Sequence, residues 1–488
     1  MDRKTFLKYT GVGAGLLLSP AVLTSCTNTD ISRSERYQFP LQFPKKLNSD
    51  LLQASQKNLT IAGEYSLDGL LFNGIYLSPT IRVRTGDRFQ VRFQNDFGQE
   101  SIIHWHGMIV PPDMDGHPKD VISEGSYFYD FQINQRAGTY WYHPHPHRIT
   151  GPQVYRGLAG FFIVTDEEEE ALNLPSGEFE LPLVIQDRKI DESGNIYYNP
   201  SMPERMMTGY LGDHILINGV PSPYHEVQAR PYRLRLLNGS NARIYNIAFR
   251  NENSFTVIGS DGGLLPQPVR ASELLLAPGE RADLLVDFSD GFSGNSAELI
   301  SREFSVPANG GMMGNMPQMM GQSGPEQGTE FQLMQFRIGN KNDSSPNLHL
   351  PQQLSEVHFP SQNDAVQERR IELNMEMMTG HTINGQLFEM LRVDEQINQG
   401  DTEIWEFINN SAVPHPMHIH AVQFKVLSRS GYRGLLATET GWKDTVLVMP
   451  GERVCVIMSF NVEKGLYVFH CHNLEHEDAG MMANFEIV

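Results

Sequence analysis

Residues 465–482 read GLYVFHCHNLEHEDAGMM, and residues 138–145 read GTYWYHPH. Both begin Gly-x-Tyr-x-aromatic-His-x-His, so one histidine-bearing strand occurs twice, near the start and at the end of the 488-residue chain. Such an echo marks repeated structural units. The second copy also places Cys471, one of only three cysteines, between His470 and His472.

Working outward, other echoes count the units. Asn-Gly occurs at Asn73, Asn218 and Asn384, and each pair precedes an apolar strand that runs into Asn95, Asn238 or Asn409. APGERADLLVDF (277–288) matches MPGERVCVIMSF (449–460), which ties the second unit to the third. Only the middle unit lacks the histidine strand. Short alternating segments such as TIRVRTGDRFQVRFQND, broken by Gly, Pro and Asn, point to an all-β chain of sandwiches. Three units are expected, at 36–168, 175–342 and 365–488, with linkers near 166–177 and 339–353, where charge or Ser/Pro/Asn replaces alternation. Cys455, in RVCVIMSF, reads as a packed apolar side chain.

Lys+Arg of 38 against Asp+Glu of 58 gives a net charge of −20. No basic run interrupts that acidity, so nucleic acid is excluded as a partner. Residues 1–26 have a basic start, a short apolar stretch and small residues, the layout of an export signal to the periplasm or cell envelope. LTSC, ending at Cys26, has the form of a lipoprotein box in which that cysteine would carry a lipid anchor. With three cysteines, disulfides are not the scaffold.

Four clusters hold the chemistry: HWHG at 104, YHPHPH at 142, HPMHIH at 415 and HCHNLEH at 470. On a strand, residues i and i+2 share a face about 7 Å apart, a spacing that serves neighbouring ions better than one. The pairs His104/His106, His143/His145, His418/His420 and His470/His472 come from the first and third units alone. They converge only if those units face each other, and eight ligands suit about three ions. Imidazole without carboxylate favours copper, zinc, iron or nickel. His415, Cys471, His476 and Met481 decide among these, because two histidines, a thiolate and a thioether make a blue copper electron-transfer site. In a strand Cys471 faces opposite to its histidine neighbours, so one segment would join two metal sites. A single His-x-His pair is more often structural, and zinc storage or hydrolysis is the competing use of such ligands; His147, just past the second pair, is unassigned.

Taken in order, HWHG, WYHPH, HPMHIH and HCHNLEHEDAGMM resemble the copper motifs of the multicopper oxidases, with GWKDTV closest to bacterial copper-efflux oxidases and laccases. The resemblance implies three cupredoxin-like Greek-key domains and four copper ions. By motif position His415, Cys471, His476 and Met481 would hold the type 1 copper, and His104 and His418 the type 2 copper. One type 3 copper would take His106, His143 and His472, the other His145, His420 and His470. The family couples four one-electron oxidations to reduction of O₂ to water. Asp115 and Glu477 match its acidic residues near the O₂ site, where they would relay protons; Asp444, in GWKDTV, would either orient a ligand or close a strand end with a hydrogen bond.

The donor is less defined. GGMMGNMPQMMGQSG (310–324) holds Met312, Met313, Met316, Met319 and Met320 at neither helical nor alternating spacing. Thioethers are soft ligands suited to Cu(I), and certain bacterial members carry such segments over the type 1 site. The position four residues before His415, a carboxylate in some copper-efflux oxidases, is Ser411. The leading expectation is an oxidase of Cu(I) or another low-valent metal ion with some phenol oxidase activity, working as a monomer. The alternatives are a laccase acting on phenols and aryl amines, and a non-catalytic copper-binding protein.

Overall fold

A computed structural model describes residues 37–289, 292, 295–307, 325–339, 350–376 and 380–488. The export segment 1–26 with Cys26, most of the second linker, and Met312, Met313, Met316, Met319 and Met320 lie outside the described residues.

Alternation builds the first sandwich. In Arg88–Asn95 every second side chain is buried, the pattern of a strand with one face on a core. That strand pairs with Leu51–Ile61 and Gly125–Gln132. A second sheet of Ile81–Arg84, Gly160–Thr165, Gly138–Pro144 and Ile103–His106 supplies the other half of the core. Phe93, Trp105, Tyr142 and Phe162 meet between them, each contributing roughly 1.5–3 kcal/mol by leaving water. The last sandwich repeats the plan: Trp405 and Val456 from one five-stranded sheet pack on Met417, Phe469 and Phe485 from the other. The middle sandwich packs Leu234 and Leu284 against Ile247 and Leu299.

The repeats have physical causes. Asn73, Asn218 and Asn384 have φ of 54°, 48° and 51°, and each is followed by a positive-φ glycine, which makes three tight hairpin turns. Their side-chain oxygens accept from the backbone N–H of Gln53, Val184 and Glu372 at 2.7–2.8 Å. Asn95, Asn238 and Asn409 end their strands by donating to two backbone carbonyls each, at 2.7–2.9 Å. In the two Pro-Gly-Glu turns Glu280 and Glu452 accept from the N–H of Ala277 and Met449. The tyrosines of the quoted strands, Tyr140 and Tyr467, both donate to the carbonyl four residues back, at Arg136 and Glu463, a tyrosine corner in each copy.

One reading gains a detail and one needs correction. The first and middle sandwiches share a sheet: Asn195–Tyr197 pairs with both Tyr65–Phe72 and Glu180–Ile190, joining them into one twelve-stranded sheet. The linker itself folds into a short helix, Glu167–Ala171, capped by Asp166. Cys455 is only half-buried, on the outer face of Arg453–Ser459 opposite Ser428, because its neighbours Val454 and Val456 take the core side.

Candidate metal centre

His104 and His106 lie on the strand Ile103–His106, which pairs antiparallel with Gly138–Pro144 so that His104 sits opposite His143. In the last sandwich His415–Ile419 pairs with Gly465–Cys471, and His418 sits opposite His470. The two strand pairs meet. His104 stacks on His420 with centroids 3.6 Å apart, and His106 on His418 at 3.7 Å. All eight imidazoles are buried. Within the four pairs, in chain order, the rings are 5.6, 6.0, 5.0 and 5.7 Å apart, closer than the strand repeat because they lean together.

Hydrogen bonds fix which nitrogen is free. The Nδ1–H groups of His104, His418 and His470 donate to the backbone carbonyls of Asp115, Asp444 and Cys471 at 2.8, 2.8 and 3.1 Å. His420 Nδ1 donates to Asp115 Oδ2 at 2.8 Å. Each Nε2 therefore carries a bare lone pair. His104 Nε2 lies 3.2 Å from His418 Nε2, and His470 Nε2 lies 3.2 Å from the Nε2 atoms of both His145 and His420. Lone pairs facing at this distance repel unless a cation sits among them. His143 Nε2, His106 Nδ1 and both nitrogens of His472 are buried without a hydrogen-bond partner. Burial, reinforced by the neighbouring rings, pushes His106, His143, His145, His418, His420 and His472 well below the ordinary imidazole range. Neutral imidazoles with outward-facing lone pairs fit copper ions bound between the two sandwiches.

The ligands have their own supports. Asp444 Oδ1 accepts from His106 Nε2 at 3.0 Å and is gripped on both oxygens by Arg281 of the middle sandwich, at 2.7 and 2.5 Å. Gly107, at φ 85°, leaves the room this pair needs, since a β-carbon there would collide with Asp444 and Arg281. Glu477 Oε2 lies 3.2 Å from His470 Nδ1, and its Oε1 lies 3.7 Å from His145 Nε2.

On the other face of the strand Gly465–Cys471, Cys471 Sγ lies 3.4 Å from His415 Nδ1 and 3.7 Å from His476 Nδ1. The outer nitrogens are occupied: His476 Nε2 donates to the Met207 carbonyl at 3.0 Å, and Ser411 Oγ lies 2.8 Å from His415 Nε2. Both Nδ1 atoms thus turn inward on the thiol. Met481 is buried in the same core. Burial pushes the Cys471 thiol far above its ordinary pKa, so the thiolate needs a cation beside it. This donor set fits copper in a blue site.

The structure thus brings His104, His106, His143, His145, His418, His420, His470 and His472 into one cluster with Asp115 and Glu477 at its edge, and His415, Cys471, His476 and Met481 into a second. His147 packs beside Phe388. Sequence reasoning missed Arg281, whose Pro-Gly-Glu-Arg echo was visible without its partner. It also missed His381, buried beside the blue site with its ring 3.9 Å from His476 and 4.9 Å from His415.

Comparison with known proteins agrees with this geometry. Three family models, each described as multicopper oxidase, match residues 53–169, 193–296 and 358–488. A laccase of Bacillus subtilis is 34% identical over 482 residues, covering 85% of this chain and 89% of the relative. Among solved structures, the multicopper oxidase McoA of Aquifex aeolicus superposes with TM-score 0.81 at 40% identity, over 92% of this chain and 99% of its own. A Campylobacter jejuni multicopper oxidase described as a metallo-oxidase gives TM-score 0.78 at 29% identity, over 92% and 94%.

Proposed function

This chain belongs to the multicopper oxidase family of oxidoreductases, whose members hold four copper ions, and from that premise we propose that it oxidises Cu(I) or another low-valent metal ion, with phenols as secondary donors. One observation carries the choice of donor. Both blue-site imidazoles are fully buried, with their outer nitrogens held by Met207 and Ser411, so a bulky planar phenol has no ligand edge to touch. The five methionines of 310–324 would offer a small soft ion the ligands it prefers. The likeness to a metallo-oxidase agrees with this reading.

When bound, the coppers supply one-electron acceptance at the blue site and four-electron reduction of O₂ at the cluster. His415, Cys471, His476 and Met481 would hold the type 1 ion, and His104 and His418 the type 2 ion. His106, His143 and His472 would hold one type 3 ion, and His145, His420 and His470 the other. Cys471 and its covalent neighbours His470 and His472 give the electron a through-bond route from one site to the other. Water formation needs four protons per O₂. Asp115 would relay them, a reading supported by Oδ2 on His420 and a buried Oδ1 with no hydrogen bond. Glu477, lying between His145 and His470, would be a second relay.

The test is O₂ uptake by copper-loaded protein given Cu(I) or a phenol, in the parent and in a chain lacking 310–324. Loss of Cu(I) oxidation with phenol turnover kept or raised supports the proposal; unchanged Cu(I) kinetics removes the role of that segment. A laccase proper, favoured by the likeness to the Bacillus enzyme, would turn over phenols faster than Cu(I) in both chains. Bound copper without O₂ uptake would indicate storage. We also propose that residues 1–26 export the chain, that Cys26 is acylated and that the mature protein is a monomer. Cell fractionation, fatty-acid labelling and light scattering test these in turn.

A further inference from the structure

His381 has no part in the reaction as described, yet its surroundings are not those of a filler residue. It is 1% exposed, and neither ring nitrogen makes a hydrogen bond of ordinary geometry, though the Met206 carbonyl lies beside the ring. Leaving a buried polar group unsatisfied costs about 1–3 kcal/mol, so such a group calls for an explanation. One of its nitrogens lies within 4.8 Å of a nitrogen on each of His415 and His476. Two methionines neighbour this position in the fold. Met375 sits directly opposite His381 in the hairpin of Ala365–Glu376 and Gly380–Ile383, so their side chains leave the same face of the sheet about 5 Å apart. Met206 Sδ lies 3.2 Å from where a β-carbon of Gly380 would stand. Both methionines are partly exposed, and Met206 belongs to a π-helical turn, Glu204–Thr208, a geometry frequent at functional sites.

We propose that His381, Met206 and Met375 form a docking site that holds a cuprous ion against the outer face of His476. This rests on the reading that the chain oxidises Cu(I). One imidazole and two thioethers are a soft donor set that suits Cu(I) and holds Cu(II) poorly. At this site Cu(I) gives up one electron, which crosses the 3.9 Å contact between the rings of His381 and His476, and the ion leaves as Cu(II). Four such losses balance one turnover: four Cu(I), one O₂ and four protons give four Cu(II) and two waters. The site uses none of residues 310–324.

Ag(I), which shares the soft-ligand preference of Cu(I) but is not oxidised, tests the proposal on the full-length, copper-loaded chain. Titration should show an Ag(I) site whose occupancy competes with Cu(I) oxidation. His381→Leu should weaken that binding and raise the KM for Cu(I) by about tenfold, with blue absorption and type 1 potential unchanged. The double variant Met206→Leu/Met375→Leu, which leaves the buried imidazole in place, should move both quantities the same way. Unchanged Ag(I) affinity and Cu(I) KM in both variants would overturn the proposal. A shifted blue band in His381→Leu would also overturn it, by showing that His381 acts on the type 1 ion itself. If the parent binds Ag(I) through these residues but does not oxidise Cu(I), the soft-metal site stands and the choice of donor falls.

Discussion

The eight-histidine cluster and the Cys471 site share the strand Gly465–Cys471 but are assembled differently. The cluster draws half its imidazoles from Ile103–His106 and the segment that follows Gly138, and half from the last sandwich, with the whole middle sandwich between them in sequence. It exists only where two folded faces meet, and Arg281 of the middle sandwich braces it through Asp444. The blue site takes every ligand from the last sandwich, between His415 and Met481, and borrows the Met207 carbonyl from outside. One site depends on assembly and the other on a single fold, so each should fail without the other.

The largest break comes from within the cluster. His420→Ala removes one ligand and the partner of Asp115, and should abolish donor-driven O₂ uptake while the blue absorption persists; loss of the blue band as well would mean the two sites are not separable. Asp444→Asn keeps the shape but weakens the grip of Arg281, and should lower O₂ reduction by about 10–100-fold with the blue spectrum intact. Steady-state O₂ kinetics beside the visible spectrum measure both effects. Ser411→Ala acts on the other side of the comparison. It removes one hydrogen bond to His415 and should shift the type 1 potential with no more than about tenfold loss of turnover, leaving the type 2 electron paramagnetic resonance signal unchanged.

The smallest effect on either site is expected far from both. Burial raises the Glu180 carboxyl, but Arg235, Arg233 and Arg82 outweigh it and hold it at about 2. A carboxyl depressed in the folded state stabilises fully above its unfolded value near 4.5 and loses that contribution as pH falls towards 2. Glu180→Gln should therefore cost about 3 kcal/mol at neutral pH, less near pH 2, without moving copper content or spectra. Urea melts across that range check the sign.

Much of this was legible in the sequence because its causes are local. Asn-Gly turns, strand-ending asparagines and Pro-Gly-Glu turns each satisfy backbone groups within their own unit, so they recur as motifs. The His-x-His pairs were visible for the same reason, since period-2 spacing puts both rings on one face. What was hidden depends on contacts between units. The sheet shared by the first and middle sandwiches rests on the three residues Asn195–Tyr197. Arg281 looked like part of a turn until Asp444 met it. His381 stands alone, without a histidine two residues away, and only the fold of the third Asn-Gly hairpin brings it to His476.

The central claim is that Cys471 belongs to one site and its neighbours to the other, and Cys471→Ser tests it most directly. Copper analysis with visible and electron paramagnetic resonance spectra should find the blue absorption and type 1 signal gone, three coppers per chain and a type 2 signal retained, and no donor-driven O₂ uptake. A variant that stays blue, or one that loses the cluster copper together with the type 1 ion, would contradict the account.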